Sequence, residues 1–247
     1  ATWDPALEEQ IGDAMGVEGR SVGANFFGGV CINLLRHPAW GRAQETYGED
    51  PHLLGEMGAG LVRGVQRHMM ACAKHYACNS IENVRTKVNV KISARTLREV
   101  YLPHFKRCVE AGAAAVMSAY NRVNGEYCGH NAQLLRRILK EEWGFEGLVM
   151  SDFVFGVRDA KAAALGGLDI EMPAQWHYHG RLKKLVEQGE VPLAVVDEAV
   201  LRILRTKLRF AHVGEAQRYG PQAVCCPEHR ALTRRAAVES MVLLQNN

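Results

Sequence analysis

Along the chain, segments with apolar residues three and four apart alternate with short runs of consecutive apolar residues. The first spacing predicts amphipathic helices and the second predicts buried strands. Asp4-Pro5 and Asp50-Pro51 each read as an N-cap followed by proline at the first helical position. The two helices they open carry Leu7, Ile11 and Met15, and Leu54, Met57 and Leu61, on one face. Ser93 caps a third helix that the spacing carries to about Gly112. Asn131 caps a fourth, closed by Gly144. Further helices are predicted over residues 153–164, 178–188 and 193–212, and one more from Pro227. Strands are predicted over residues 25–34, 70–77, 113–119, 147–151 and 167–171. Residues 87–92 read as an extended excursion, and 240–245 as the start of a last strand.

Alternating strands and helices with apolar strands imply a parallel sheet covered by helices. A doubly wound sheet and a (β/α)8 TIM-like barrel share that signature. With five or six strands against the eight of a complete barrel, the barrel reading is an incomplete one. Residues 213–226 collect Gly, Pro, Gln and two adjacent cysteines and read as a linker. The expected organisation is thus a barrel domain over 1–212, the linker, and the start of a second α/β domain over 227–247. The chain opens on Ala1, within a strand-to-helix pattern, so upstream sequence is expected.

Composition narrows the function classes. Hydrophobic residues make up 47% of the 247, charged residues 23%, and the net charge is +3. Lys and Arg are scattered, which argues against nucleic acid or a membrane surface as partner. No apolar run approaches the ~18 residues of a membrane span. The seven cysteines show no zinc-site spacing and read as reduced, mostly buried thiols, favouring a cytoplasmic location. Cys225-Cys226 reads as a loop pair, with redox activity as the alternative.

In parallel α/β folds, functional groups gather past the carboxyl ends of the strands. There this chain places Arg42 and Glu45, then Lys74, His75, Glu82 and Arg85, then Tyr120, then Asp152, then Glu171. Asp152 directly follows an apolar strand; a reactive carboxylate and an N-cap for the helix at 153–164 weigh equally by position. Lys74 admits three readings: a Schiff-base nucleophile, a hydrogen-bond donor to a polar ligand, or an ion-pair partner of Glu82 or Asp152. Arg42 and Arg85 offer forked donors for hydroxyls or carboxylates. His104 with Cys108, and His177 with His179, have spacings found in metal sites but read better as core and loop residues. No dinucleotide, P-loop or HExxH motif is present. No metal or cofactor is expected.

Taken together, the strand-end segments resemble glycoside hydrolase family 3, the family of β-glucosidases and β-xylosidases. The matching stretches are NLLRHPAWGRAQETYGEDP (33–51), KHYACNSIENVR (74–85), VMSAYNRVNGEYCGHN (116–131), EEWGFEGLVMSDF (141–153) and LGGLDIEMP (165–173). They stand in the family's order across nearly the whole chain. The resemblance implies that Asp152 is the catalytic nucleophile and that Lys74 and His75 hydrogen-bond hydroxyls of the bound sugar. Arg42 and Arg85 would line that subsite, with Tyr120 close to the nucleophile. Phe153 stands where many members carry tryptophan. The implied activity is retaining hydrolysis of β-glucosides, with β-xylosides or other β-glycosides as the alternative substrate. A DGP-type motif is absent, and KHYACNS departs from the KHFPGHG pattern that supplies a histidine acid in some members. The acid/base is therefore expected to be a Glu of a second domain. Two rival readings are a Schiff-base lyase acting through Lys74 and a sugar-binding barrel without catalysis.

Overall fold

The structure is a computed structural model that describes residues 2–174 and 176–246. The described residues form seven strands: β1 (Phe26–Cys31), β2 (Met70–Tyr76), β3 (Asn89–Val90), β4 (Ala115–Ser118), β5 (Arg122–Val123), β6 (Glu126–Tyr127) and β7 (Leu148–Met150). β1, β2, β4 and β7 form one parallel sheet in that spatial order. Each main-sheet strand lies beside the previous one. That is the wall of a barrel, since a doubly wound sheet reverses its strand order. Past β7 the wall continues only as a single parallel bridge from Met150 to Ile170. The strand expected over 167–171 is reduced to that bridge. Among the described residues the barrel is not closed, as the incomplete-barrel reading has it.

The helices are α1 (Pro5–Ser21), α2 (Pro51–Val65), α3 (Ala94–Thr96), α4 (Pro103–Glu110), α5 (Ala160–Gly166), α6 (Arg181–Glu187), α7 (Leu193–Arg209) and α8 (Pro227–Glu239). The caps read from the sequence are in place. Asp4 Oδ1 accepts from the Ala6 and Leu7 amides at 2.9 and 3.0 Å. Asp50 does the same for His52 and Leu53 at 3.0 and 3.2 Å. Each cap satisfies amides that lack an intrahelical partner.

Several expected elements come out differently. The long helix from Ser93 breaks into α3, a π-helical turn (Leu97–Tyr101) and α4. Pro103 explains the break: it has no N–H and its ring excludes a straight continuation. The helix after Asn131 is π-helical over Gln133–Glu142. The helix expected over 153–164 begins only at Ala160, and its N-cap is Asp159, which accepts from the Ala162 amide at 2.7 Å. Asp152 caps no helix. The strand expected over 240–245 does not form; Met241, Leu243 and Leu244 are exposed. A strand needs a neighbour to accept its hydrogen bonds, and none lies beside it among the described residues. Residues 213–226 are not a loose connection. They make two 3-10 turns, Ala216–Arg218 and Pro221–Ala223, packed against α1.

The two faces of the sheet explain where the site lies. Outward-facing Val30, Ala71, Ala73, Val116 and Val149 join the main core under α2 and α4. Inward-facing Cys72, Ala115, Met117, Leu148 and Met150 form a second cluster with Phe26, Ile170 and Met172. Strand side chains alternate with period two. The inner rows 72–74 and 148–150–152 therefore carry Lys74 and Asp152 to the same face, at the carboxyl rim. All seven cysteines are free thiols, and five are buried. Among the described residues, no helix is long and apolar enough to cross a membrane.

Candidate active site

At the carboxyl rim of the main sheet lies a cavity of ≈ 640 Å³. That volume is suited to a small ligand. Its floor is apolar: Phe26, Met117, Met150 and Met172 rise from the inner cluster. Its walls hold Arg42, Lys74, His75, Arg85, Tyr120, Asp152 and Phe153, together with Glu45 and Glu82. Nine residues named from the sequence thus converge on one space. Glu171 does not join them: its carboxylate accepts from the His177 and Tyr178 amides and from His177 Nδ1 at 2.7–3.0 Å. It ties down its own loop.

Asp152 is only 6% exposed. Its Oδ1 accepts from the Phe153 amide at 2.8 Å, whereas buried Oδ2 has no hydrogen-bond partner among the described residues. Burial raises the carboxyl pKa above the ordinary aspartate value, opposed by the Phe153 amide, the Tyr120 hydroxyl, Arg42 and Arg85. Burial wins because charging a carboxylate away from water is costly. The chain around it is tightly constrained. The backbone of Asp152 fills the space where a Cβ on Gly156 would stand. Val154 sits at φ +69°, a costly conformation for a β-branched residue.

His75 is held from two sides. Asn33 Oδ1 accepts from the His75 amide at 2.9 Å and from Nδ1 at 3.0 Å, and Asn33 Nδ2 donates to the His75 carbonyl at 2.8 Å. Arg42 donates to Nε2 at 2.8 Å. A guanidinium can only donate, so Nε2 is an acceptor and the ring is neutral with its proton on Nδ1. Burial and the neighbouring Arg42, Lys74 and Arg85 push the His75 pKa well down. The 3.7 Å approach of Nε2 to Asp152 Oδ2 is therefore no ion pair. Asn33 escaped sequence reasoning, although a lone amide inside the apolar run VCINLL was the available signal.

The two arginines are anchored by carboxylates. Arg42 binds Glu45 through Nε at 2.7 Å and through NH2 at 2.6 Å. That fork holds the Glu45 carboxyl below its usual range. Arg85 donates to Glu82 at 2.8 Å and lies over the Tyr120 ring, 4.8 Å from its centroid. Trp40 Nε1 also donates to Glu82, at 3.4 Å. The Tyr120 hydroxyl donates to the Phe153 carbonyl at 2.7 Å, tying the loop after β7 to the end of β4. Lys74 makes no ion pair with Glu82 or Asp152, so the pairing alternative does not hold. Phe153 is 43% exposed at the cavity edge. Neither His104–Cys108 nor His177–His179 belongs to a cluster of three or more potential metal ligands among the described residues.

The Glycosyl hydrolase family 3 N terminal domain model matches residues 1–206. The chain belongs to glycosyl hydrolase family 3. A β-glucosidase from Rhizobium radiobacter is 40% identical over 250 residues, spanning 100% of this chain and 30% of that relative. The thermostable β-glucosidase B of Acetivibrio thermocellus is 38% identical, across 99% of this chain and 32% of its own length. Among solved structures, β-glucosidase 3B from Thermotoga neapolitana in complex with α-D-glucose superposes with a TM-score of 0.91 at 35% identity. That match covers 99% of this chain and 35% of the other. The chain thus spans about a third of the length of its family 3 relatives.

Proposed function

We propose that this chain carries the nucleophile and sugar-binding subsite of a retaining, exo-acting β-glycosidase, acting on β-glucosides or closely related β-glycosides. The observation that carries the reading is Asp152: it lines a cavity walled by hydrogen-bonding side chains, and its buried Oδ2 has no hydrogen-bond partner among the described residues. Attack of Oδ2 on the anomeric carbon would form a glycosyl ester as the bond to the leaving oxygen breaks; water would then release the sugar. The positive potential of Arg42 and Arg85 supports the ionised state this needs.

Lys74 and His75 are proposed to bind sugar hydroxyls. A hydroxyl donating to His75 Nε2 would take the place of Arg42, because an unprotonated imidazole nitrogen has a single lone pair. Tyr120 would hold the nucleophile loop, and Phe153 would form a wall toward the leaving group. The names of the relatives favour glucose over xylose. A Schiff-base role for Lys74 has no such support.

The proton donor has to come from elsewhere. Of the other carboxylates lining the cavity, Glu45 is held ionised by Arg42, and Glu82 accepts from Arg85 and Trp40. His75 is kept neutral. We therefore propose residues 1–212 as the barrel portion, 213–226 as its connection, and 227–247 as the start of a second domain that supplies a Glu acid/base. The test is the stereochemistry of hydrolysis by the full-length protein. Proton NMR of the first product from a β-glucoside should show the β-anomer; first appearance of the α-anomer would exclude the mechanism.

A further inference from the structure

The segment that leads out of the barrel is bound by an array of polar contacts at the end of the sheet opposite the cavity. Its centre is His68, 1% exposed just before β2. Asp13 on α1 accepts from His68 Nε2 at 2.8 Å, which leaves Nδ1 to accept from the Tyr219 hydroxyl at 3.0 Å. Arg218 donates to the other oxygen of Asp13 at 2.7 Å. Further along, Ser21 Oγ accepts from the Gly220 amide at 3.1 Å. Glu18 accepts from the Cys225 amide at 2.9 Å and bonds His229 Nδ1, on α8, at 2.8 Å. Gly214 lies at φ +86°, and a Cβ there would meet the Tyr219 hydroxyl, so its lack of a side chain keeps Tyr219 in reach of His68.

Ordering a strap costs about 1–2 kcal/mol per residue in backbone entropy; the exposed Arg218–Asp13 and Glu18–Cys225 contacts offset little of it, and the pairing of buried His68 is the anchor. The geometry points to a function for that order. We propose that Asp13, His68, Arg218 and Tyr219 are positioning residues: they lock residues 214–229 onto α1 and so fix the path along which α8 departs toward the domain that bears the acid/base. This inference rests on the glycosidase reading above, and none of these residues lines the cavity.

The test uses the full-length protein and two β-glucosides. A 2,4-dinitrophenyl glucoside has a leaving group that needs no protonation, whereas a methyl glucoside depends on the acid. Protonation by a placed acid is worth about 10²–10⁴-fold, so a partly misplaced acid in R218A/Y219A should lower kcat/KM for the methyl glucoside at least about tenfold. The same variant should leave the dinitrophenyl glucoside within about twofold, since Asp152 and its cavity are untouched. Y219F keeps the ring and removes one hydrogen bond; it should show the same selectivity at about threefold, and it serves if the double variant does not fold. Equal losses on the two substrates, or no loss on either, would overturn the role of the strap. A wild-type protein that cleaves neither glucoside would instead overturn the glycosidase reading and the strap's role with it.

Discussion

Two aspartates lie equally deep in this molecule, each 6% exposed, one just past the end of β7 and one hydrogen-bonded to it at Val149. Asp169 is fully paired. Its Oδ1 accepts from Lys140 Nζ at 2.7 Å and its Oδ2 from the Val149 amide at 2.7 Å. Asp152 has one oxygen bonded to its neighbour's amide and one without a partner among the described residues. Burial raises the carboxyl pKa of both, and it lowers that of Lys140. The difference lies in what answers the burial. Asp169 is answered from within and pins the π-helical segment to the sheet. Asp152 is answered in part by the cationic wall of the cavity it lines, and its Oδ2 is buried without a hydrogen-bond partner among the described residues. A buried polar group without a partner is costly, so its persistence at a cavity wall points to use.

That contrast can be broken at either end. The largest effect is expected from Asp152→Asn, which should cut glycoside cleavage by the full-length protein at least about 10³-fold. Folding should be unimpaired, as shown by an unchanged near-ultraviolet circular dichroism spectrum. Next comes Lys140→Met, which leaves Asp169 buried and unpaired and should cost about 3–5 kcal/mol by denaturant unfolding. Per folded molecule, turnover should hardly change, because Lys140 does not line the cavity.

Arg42→Lys should lower kcat/KM by about 10–10²-fold, since an ammonium cannot bind Glu45 through a fork and also donate to His75. Arg136→Lys, on the Asp169 side of the sheet, should have no such effect.

The smallest expected effect concerns stability. A carboxyl with a raised folded-state pKa binds its proton more tightly when folded. Its stabilising contribution is complete below the unfolded carboxyl pKa and is lost as pH rises through the folded value. At neutral pH the ionised Asp152 is thus a burden that asparagine removes. Asp152→Asn should raise Tm by about 2 °C at pH 7, and the gain should vanish in acid, where both side chains are neutral. By the same shift, the acid limb of the wild-type pH–rate profile should lie above the ordinary aspartate pKa.

Much of this was legible in the sequence, and the exceptions have physical causes. The Asp4-Pro5 and Asp50-Pro51 helix starts were local signals that nothing overrode. The strand-end position of the site residues followed from where the apolar runs stop, whereas the period-two rows of the inner face were hidden by strands apolar on both faces. Asp152 could not be separated from an N-cap, because an acid after a strand fits both roles; the Asp159 cap decides it. The β5–β6 hairpin had its signal in Asn124-Gly125, which supplies two positive φ angles at the turn. Strands that short leave no periodicity to notice. The Ser93 helix extended through Pro103 only on apolar spacing, which takes no account of a missing amide. Residues 213–226 were read by composition, which is blind to partners distant in sequence such as Asp13, Glu18 and His68. Glu45 and Glu82 stood at the strand ends, but their roles as anchors for Arg42 and Arg85 depend on loop geometry.

The central claim is that Asp152, not another carboxylate at the cavity, takes the glycosyl group. A 2-deoxy-2-fluoro glucoside with a good leaving group should trap that ester on the full-length protein, and peptide mass spectrometry would locate it. The account predicts a single label on Asp152. A label on Glu45, Glu82 or any other side chain would contradict it.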